Sequence, residues 1–371
     1  MIYLDNSATT YPKPLSVRRK MAQALEQFGA NPGRGGFKMS LQTAQAVYDV
    51  RQKAASFFGA AGPECISFQP SCTQSLNIVI HSLKRGDHVL VTDLEHNAAL
   101  RPLKAMEAHG VSFTVVPVTP GDNDATLDAF RHAMRENTRL LVCTQASNVF
   151  GIRVPVERLA ALAHIYGAEI CVDAAQSGGV IPIHAERDGI DYLCCAGHKG
   201  LYGPMGTGML ITKNGEKLES LIQGGTGTRA LELDQPREMP EYLESGTQNV
   251  PGISRSARAW ILCARTVKIC CGRGKCATFA AYTRHSKTCR MLFYTPQCRT
   301  RCTLCRCSAL TCAVCRAKKW ARCLQSGTLP CAVGSTARRS HTAKWARTVK
   351  RPAARCAFHR VRSRPTGTLR S

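Results

Sequence analysis

The chain has 371 residues, enough for two domains of ordinary size with ample core. Its 50 Lys plus Arg against 25 Asp plus Glu give a formal net charge of +25, an average over two unlike segments. No run of about 20 apolar residues suggests a membrane span, and MIYLDNSATT lacks the basic-then-apolar start of a signal peptide, so a cytoplasmic protein is expected.

From Ser254 to Ser371 there are 27 Lys plus Arg and no acidic residue, which leaves 23 basic and 25 acidic residues in 1–253. Of the 20 cysteines, 14 fall in the same C-terminal part. The two parts are therefore read separately, as domains 1–253 and 254–371.

Residues 1–253 read as an alternating α/β protein. Ile2-Tyr3-Leu4 is a short apolar start closed by the turn-prone Asp5-Asn6-Ser7. Residues 16–28 have helical spacing, residues 31–36 (NPGRGG) are loop, and residues 41–58 form an amphipathic helix with Ala44, Val47, Val50, Ala54 and Phe57 on one face. Ile66-Ser67-Phe68 reads as a strand turning, over 69–73, into a helix. Further apolar strands are expected at 88–92, 112–116, 140–144, 169–172 and 192–195, with helices at 100–109, 127–135 and 156–166 between them. Continuous apolar strands alternating with helices predict a mostly parallel sheet covered on both faces. Ligands on such sheets bind beyond the carboxyl ends of the strands.

Five polar motifs fall there. Ser71-Cys72-Thr73 sits where a strand becomes a helix, so free N–H groups and a hydroxyl could hold a phosphate; a simple helix cap would look the same. His96 in Glu95-His96-Asn97 could stack on a flat ring or be a polar loop residue. Asn148 could donate to a ligand oxygen or merely turn the chain. Asp173 ends an apolar strand and needs a partner, because an unpaired buried charge is costly. Lys199, in residues 192–210 (YLCCAGHKGLYGPMGTGML), leaves a buried strand in a loop whose Gly200, Gly203, Gly206 and Gly208 let backbone approach a ligand closely. Partial desolvation would lower its pKa and make it a nucleophile toward carbonyls, whereas a surface lysine in a turn would need no such role. A phosphate cradle, a stacking histidine, a carboxylate and a nucleophilic lysine are together what pyridoxal phosphate requires.

The motifs YLDNSATT, NPGRGG, SCTQSLN, DLEHNAALRP, SNVFGIRVPV, VDAAQS, AGHKGLYGPMGTG and ESGTQNVPGI, in this order and spacing, resemble the cysteine desulfurase branch of the class V aminotransferases. These are fold-type I pyridoxal-phosphate enzymes, and the resemblance implies a mostly parallel seven-stranded sheet flanked by helices. By position, it implies that Lys199 holds the cofactor as a Schiff base and later shuttles protons. It also implies that Asp173 pairs with the pyridine nitrogen, Gln176 binds the phenolic oxygen, and His96 and Ala175 cover the two ring faces. Cys72, Thr73 and His198 would hold the phosphate, and Asn148 would lie near the phenolic oxygen and the substrate carboxylate. Thr226 resembles a loop that reaches the phosphate from a neighbouring subunit, which implies a homodimer. L-cysteine is the implied substrate, L-alanine the product, and a sulfur-acceptor protein a possible partner. Selenocysteine lyase and transaminase chemistry are the alternatives within the class. Two positions depart from the pattern. Cys72 replaces a commoner small residue, and Ala196 stands where many relatives have Ser or Thr, at a cost of about 1.5–3 kcal/mol for one hydrogen bond to a charged group.

The resemblance stops after Pro251-Gly252-Ile253, where the family continues into a small α/β domain carrying the substrate-binding arginine and the sulfur-accepting cysteine. No such domain is recognisable in 254–371. At roughly 12% Asp plus Glu, 118 residues without either have odds of about one in a million. Arg-, Cys-, Ala- and Thr-rich sequence without periodicity is what GC-rich DNA gives in a wrong frame, so a frameshift near Ser254, a disordered tail and impaired desulfuration are expected. The rival is a basic zinc- or nucleic-acid-binding tail built on Cys302-x2-Cys305 and Cys312-x2-Cys315. Only six residues separate those pairs, Cys307 intrudes, and 14 cysteines make chance CxxC spacing unsurprising, so neither a metal site nor nucleic acid is expected.

Overall fold

Seven short strands build one sheet in the computed structural model, which describes residues 3–253 apart from Leu4, Arg34, Thr228 and Ala230. They are β1 (Ile66–Gln69), β2 (His88–Thr92), β3 (Ser112–Val116), β4 (Thr138–Thr144), β5 (Glu169–Asp173), β6 (Tyr192–Ala196) and β7 (Gly208–Ile211). Their order is β1-β7-β6-β5-β4-β2-β3. β7 runs antiparallel to both its neighbours, and every other pairing is parallel. The carboxyl ends of β1, β2, β4, β5 and β6 therefore share one edge.

The helices are α1 (Leu15–Gln27), α2 (Lys38–Phe58), α3 (Cys72–His81), α4 (Asn97–Met106), α5 (Asn123–Ala133) and α6 (Val156–Ile165). Side chains alternate across a strand, and the two faces here bury different helices. Leu141, Ile170, Val172 and Leu193 pack with residues of α1, α2, α5 and α6. Leu140, Val142, Cys171 and Cys194 pack with α3 and α4. That two-sided burial is why the strands read as unbroken apolar runs.

Several details differ from the sequence expectation: α4 begins at Asn97 and ends at Met106, where 100–109 was expected, and α5 covers Asn123–Ala133, where 127–135 was expected. Phe58, not Phe57, is the fully buried aromatic at the end of α2; Phe57 is half-buried and stands edge-on to it at 4.8 Å. β7 was not among the expected strands, because four residues after a glycine-rich loop carry too little periodicity to register. No helix among the described residues is long and apolar enough to cross a membrane. The expected frameshifted tail and the Cys302–Cys315 pairs lie outside the described residues.

Candidate active site

Asp173 is the last residue of β5 and is 4% exposed. Its Oδ1 accepts hydrogen bonds from the Ala175 N–H at 2.8 Å and from the Cys72 thiol at 3.4 Å. Burial, reinforced by the Asp173 charge, pushes the Cys72 thiol well above the usual thiol range, so it is a neutral S–H donor. The strand end and the start of α3 are thus joined through this carboxylate.

Ser71 caps α3, its hydroxyl accepting from the Gln74 N–H at 3.2 Å. The cap reading of Ser71 is therefore correct, and it leaves a second role open. The N–H groups of Cys72 and Thr73 have no hydrogen-bond acceptor among the described residues, as in the first turn of any helix, and so could meet an anion. Gly208 keeps this turn accessible: a Cβ there would come within 2.9 Å of the Cys72 nitrogen and 2.6 Å of the Ser71 carbonyl carbon.

Lys199 lies in the turn that follows β6 and is half-buried. Its Nζ makes no hydrogen bond or ion pair within the described residues. Its carbonyl accepts from the Tyr202 N–H at 2.9 Å and the Thr10 hydroxyl at 3.1 Å. Gly200, expected to admit a ligand, instead admits backbone: a Cβ there would meet the Gly178 carbonyl oxygen at 2.4 Å. The loop after β5 and the turn bearing Lys199 are packed backbone to backbone. Next to it, the His198 Nδ1 shares a 3.1 Å hydrogen bond with the Thr9 hydroxyl, and burial together with the Lys199 and Lys13 charges lowers the imidazole pKa.

Gln176 is buried, its amide donating to the Ser7 carbonyl at 3.0 Å while its Oε1 has no partner. Ala175 is half-buried beside it. His96 is exposed at the N-cap of α4, its Nδ1 accepting from the Ala98 N–H at 3.0 Å. Asn148 is exposed in the turn after β4, held by Ser147 Oγ, which accepts from the Val149 and Phe150 N–H groups at 3.3 Å each. Thr226 stands apart from this group, in a loop whose Gly227 lies against Gly33.

Sequence reasoning passed over two residues here. Glu95 accepts from the Thr92 hydroxyl at 2.5 Å and the Thr144 N–H at 2.6 Å, bridging the ends of β2 and β4, while its buried Oε2 has no partner. Burial, with Asp173 nearby, raises its pKa to about 8. Lys13 donates to the His198 carbonyl and the Thr10 hydroxyl, both at 2.6 Å. Glu95 stands beside His96 in DLEHNAALRP and Lys13 between two prolines in YPKP, and neither has a local pattern that marks its distant partners.

The donor set fits pyridoxal phosphate. An anion-ready helix start, a buried carboxylate, an orphaned amide oxygen and an unpartnered lysine amine occur on one sheet edge. Among the described residues no cluster of His, Cys, Asp and Glu could hold a metal. A site of this kind, on a sheet of this order, defines a fold-type I pyridoxal-phosphate protein.

The model of the class-V aminotransferases matches residues 2–301, and the chain belongs to that family. The family is pyridoxal-phosphate dependent. A probable cysteine desulfurase of Methanothermobacter thermautotrophicus is 34% identical over 261 residues, covering 68% of this chain and 64% of the relative. A cysteine desulfurase of Pectobacterium atrosepticum is 34% identical over 267 residues with the same coverages. Among solved structures, the apo cysteine desulfurase of Thermococcus onnurineus superposes with a TM-score of 0.66 at 29% identity, covering 72% of this chain and 68% of that one. This chain thus spans a little under two-thirds of the length of these curated relatives. The family match runs past Ile253, the end of the sequence resemblance.

Proposed function

We propose that the protein is a pyridoxal-phosphate-dependent cysteine desulfurase that takes sulfur from L-cysteine and releases L-alanine. The observation that carries this reading is the joining, through Asp173, of a buried strand-end carboxylate to the open helix start at Cys72, on the edge where Lys199 presents an unpartnered amine. When bound, the cofactor supplies an electron sink that stabilises negative charge developing on the substrate carbon.

The chain's own residues would do the following. Asp173 would hold a proton on the pyridine nitrogen, its orientation fixed by the Ala175 N–H and the Cys72 thiol. The Cys72 and Thr73 N–H groups, with the Thr73 hydroxyl and the His198 imidazole, would hold the phosphate. Ala196, lacking a hydroxyl, adds nothing to that cradle. His96 and Ala175 would cover the ring faces, and Asn148 and Gln176 would meet the phenolic oxygen. Lys199 would bind the cofactor and carry protons at its Nζ. Thr226 would reach the phosphate of a partner subunit in a homodimer, a cytoplasmic assembly that passes sulfur to an acceptor protein.

We also propose that residues 254–371 are read from a shifted frame. Support comes from composition and from the curated relatives, which align over 68% of the chain, the fraction that residues 1–253 occupy. The expected impairment of desulfuration rests on those residues, which lie outside the described ones.

The test is borohydride treatment of the protein with pyridoxal phosphate, followed by peptide mass analysis, for wild type and Lys199→Ala. Covalent cofactor on the peptide containing residue 199 in wild type only supports the reading. Cofactor captured equally by Lys199→Ala would overturn it.

A further inference from the structure

The N-terminal segment Ser7–Lys13 is bound to the turn that carries Lys199 by a dense set of hydrogen bonds. The Thr9 hydroxyl and the Thr10 hydroxyl each donate to the His198 carbonyl at 3.1 Å, and the Thr10 N–H does so at 3.3 Å. The Thr10 hydroxyl also reaches the Lys199 carbonyl at 3.1 Å. Gln176, after β5, holds the start of the segment through the Ser7 carbonyl at 3.0 Å.

Lys13 closes the set from the far end. Its Nζ lies 2.6 Å from the His198 carbonyl and 2.6 Å from the Thr10 hydroxyl, and it makes no ion pair within the described residues. A half-buried ammonium with no carboxylate partner is poor stability design, since only neutral acceptors offset its desolvation. Burial lowers its pKa to about 8, in agreement with that geometry. All its hydrogen bonding is spent on the peptide before Lys199 and on the threonine that touches that peptide.

We infer that Lys13 is a positioning residue: it latches the N-terminal segment across the 198–199 peptide and so fixes the direction in which the Lys199 side chain leaves the backbone. The idea rests on the cofactor reading above for its consequence, but not for the latch itself. A lysine that must meet a carbonyl carbon in one geometry gains from a fixed starting backbone, because misplacement by an ångström costs much of the benefit of orientation. Lys13 touches neither cofactor nor substrate; it acts through residues 10, 198 and 199.

The experiment compares wild type, Lys13→Met and Lys13→Arg in the full chain, with two readouts. The first is the rate of borohydride-trapped pyridoxal phosphate appearing on the Lys199 peptide at saturating cofactor. The second is amide hydrogen exchange of Thr10 and Tyr202, whose N–H groups donate to the His198 and Lys199 carbonyls, measured without cofactor. Lys13→Met should slow capture about tenfold, the effect of one charge-assisted hydrogen bond, and speed exchange at those two amides while leaving β4 and β5 unchanged. Lys13→Arg should restore most of both. Capture and exchange within twofold of wild type in Lys13→Met overturn the proposal. So does a loss that extends to β4 and β5 and that arginine does not restore, which would make Lys13 a general stabiliser. If wild type captures no cofactor, the cofactor reading fails, and the exchange readout alone decides the latch.

Discussion

Arg51 of α2 and Glu244 lie 193 residues apart in sequence and meet as a buried two-point ion pair, with N–O distances of 2.6 and 2.8 Å. Each partner is satisfied further. Arg51 donates to the Ile66 carbonyl and lies 4.7 Å above the Phe68 ring, and Glu244 accepts from the Phe68 N–H at 2.5 Å. Glu244 opens ESGTQNVPGI, so this pair helps tie the end of the described chain to β1, together with the Gln69 amide, which donates to the Leu243 carbonyl at 2.9 Å. Removing one partner leaves a buried charge uncompensated, typically at 3–5 kcal/mol. Glu244→Ala and Arg51→Ala are each expected to lower unfolding free energy by about that much in urea titrations. Arg51→Met combined with Glu244→Leu should cost far less than the two single losses added, because no lone charge remains.

Glu95 makes stability depend on pH. Its folded pKa is raised from 4.5 to about 8, so between these values the folded chain holds a proton that the unfolded chain has released. Stability from this group is fully present below pH 4.5 and is lost as pH rises to about 8, at a slope of about 1.4 kcal/mol per pH unit. Glu95→Gln keeps a neutral, acceptor-bearing side chain for the Thr92 hydroxyl and the Thr144 N–H. The variant should match wild type near pH 5 and exceed it at pH 8 in denaturant midpoint. Parallel pH profiles for the two proteins would show that the carboxyl is already ionised.

How far sequence alone reached follows from where burial is two-sided. β2 and β3 were legible to the residue, because His88–Thr92 and Ser112–Val116 are bounded by turn residues. Phe57 and Phe58 were harder, since adjacent aromatics at a helix end both suit a 3.6-residue period and only packing chooses. The strand-end positions of Cys72, His96, Asn148, Asp173 and Lys199 were readable from the alternation of elements. Hydrogen bonds between segments far apart in sequence were not. Lys13 and His198 are separated by 185 residues, and no local pattern announces that a lysine between two prolines will cross that gap.

Cys72 offers a test of how Asp173 is held. Among the described residues the thiol is one of two donors to Oδ1, and serine can donate to the same oxygen. Cys72→Ser should therefore retain pyridoxal phosphate about as well as wild type, whereas Cys72→Val should weaken retention by about fivefold, the effect of roughly 1 kcal/mol. Fluorescence titration with the cofactor reads both. Equal weakening in Ser and Val variants would assign the effect to packing instead of to hydrogen bonding.

On the proposed desulfurase reading, the six cysteines of residues 1–253 bear on where sulfur could go. Cys65, Cys72, Cys143, Cys171, Cys194 and Cys195 are all buried with free thiols. A sulfur acceptor must present a thiolate to substrate, and the environments of five of the six oppose that. Burial raises the thiol pKa of Cys65 and Cys195 and pushes Cys72, Cys143 and Cys194 well above the usual range. Cys194 and Cys195 are fully buried in β6, in keeping with core roles. Cys72 is nearest the candidate site, and it spends its proton on Asp173, whose negative charge further opposes thiolate formation. Brief treatment of the native protein with iodoacetamide at pH 8 should thus leave all six unmodified by peptide mass, and unfolding in urea should expose them together. L-cysteine supplied with pyridoxal phosphate should place no extra sulfur on any of the six. A persulfide mapped to Cys72 would overturn this assignment and make the thiol beside Asp173 the sulfur acceptor.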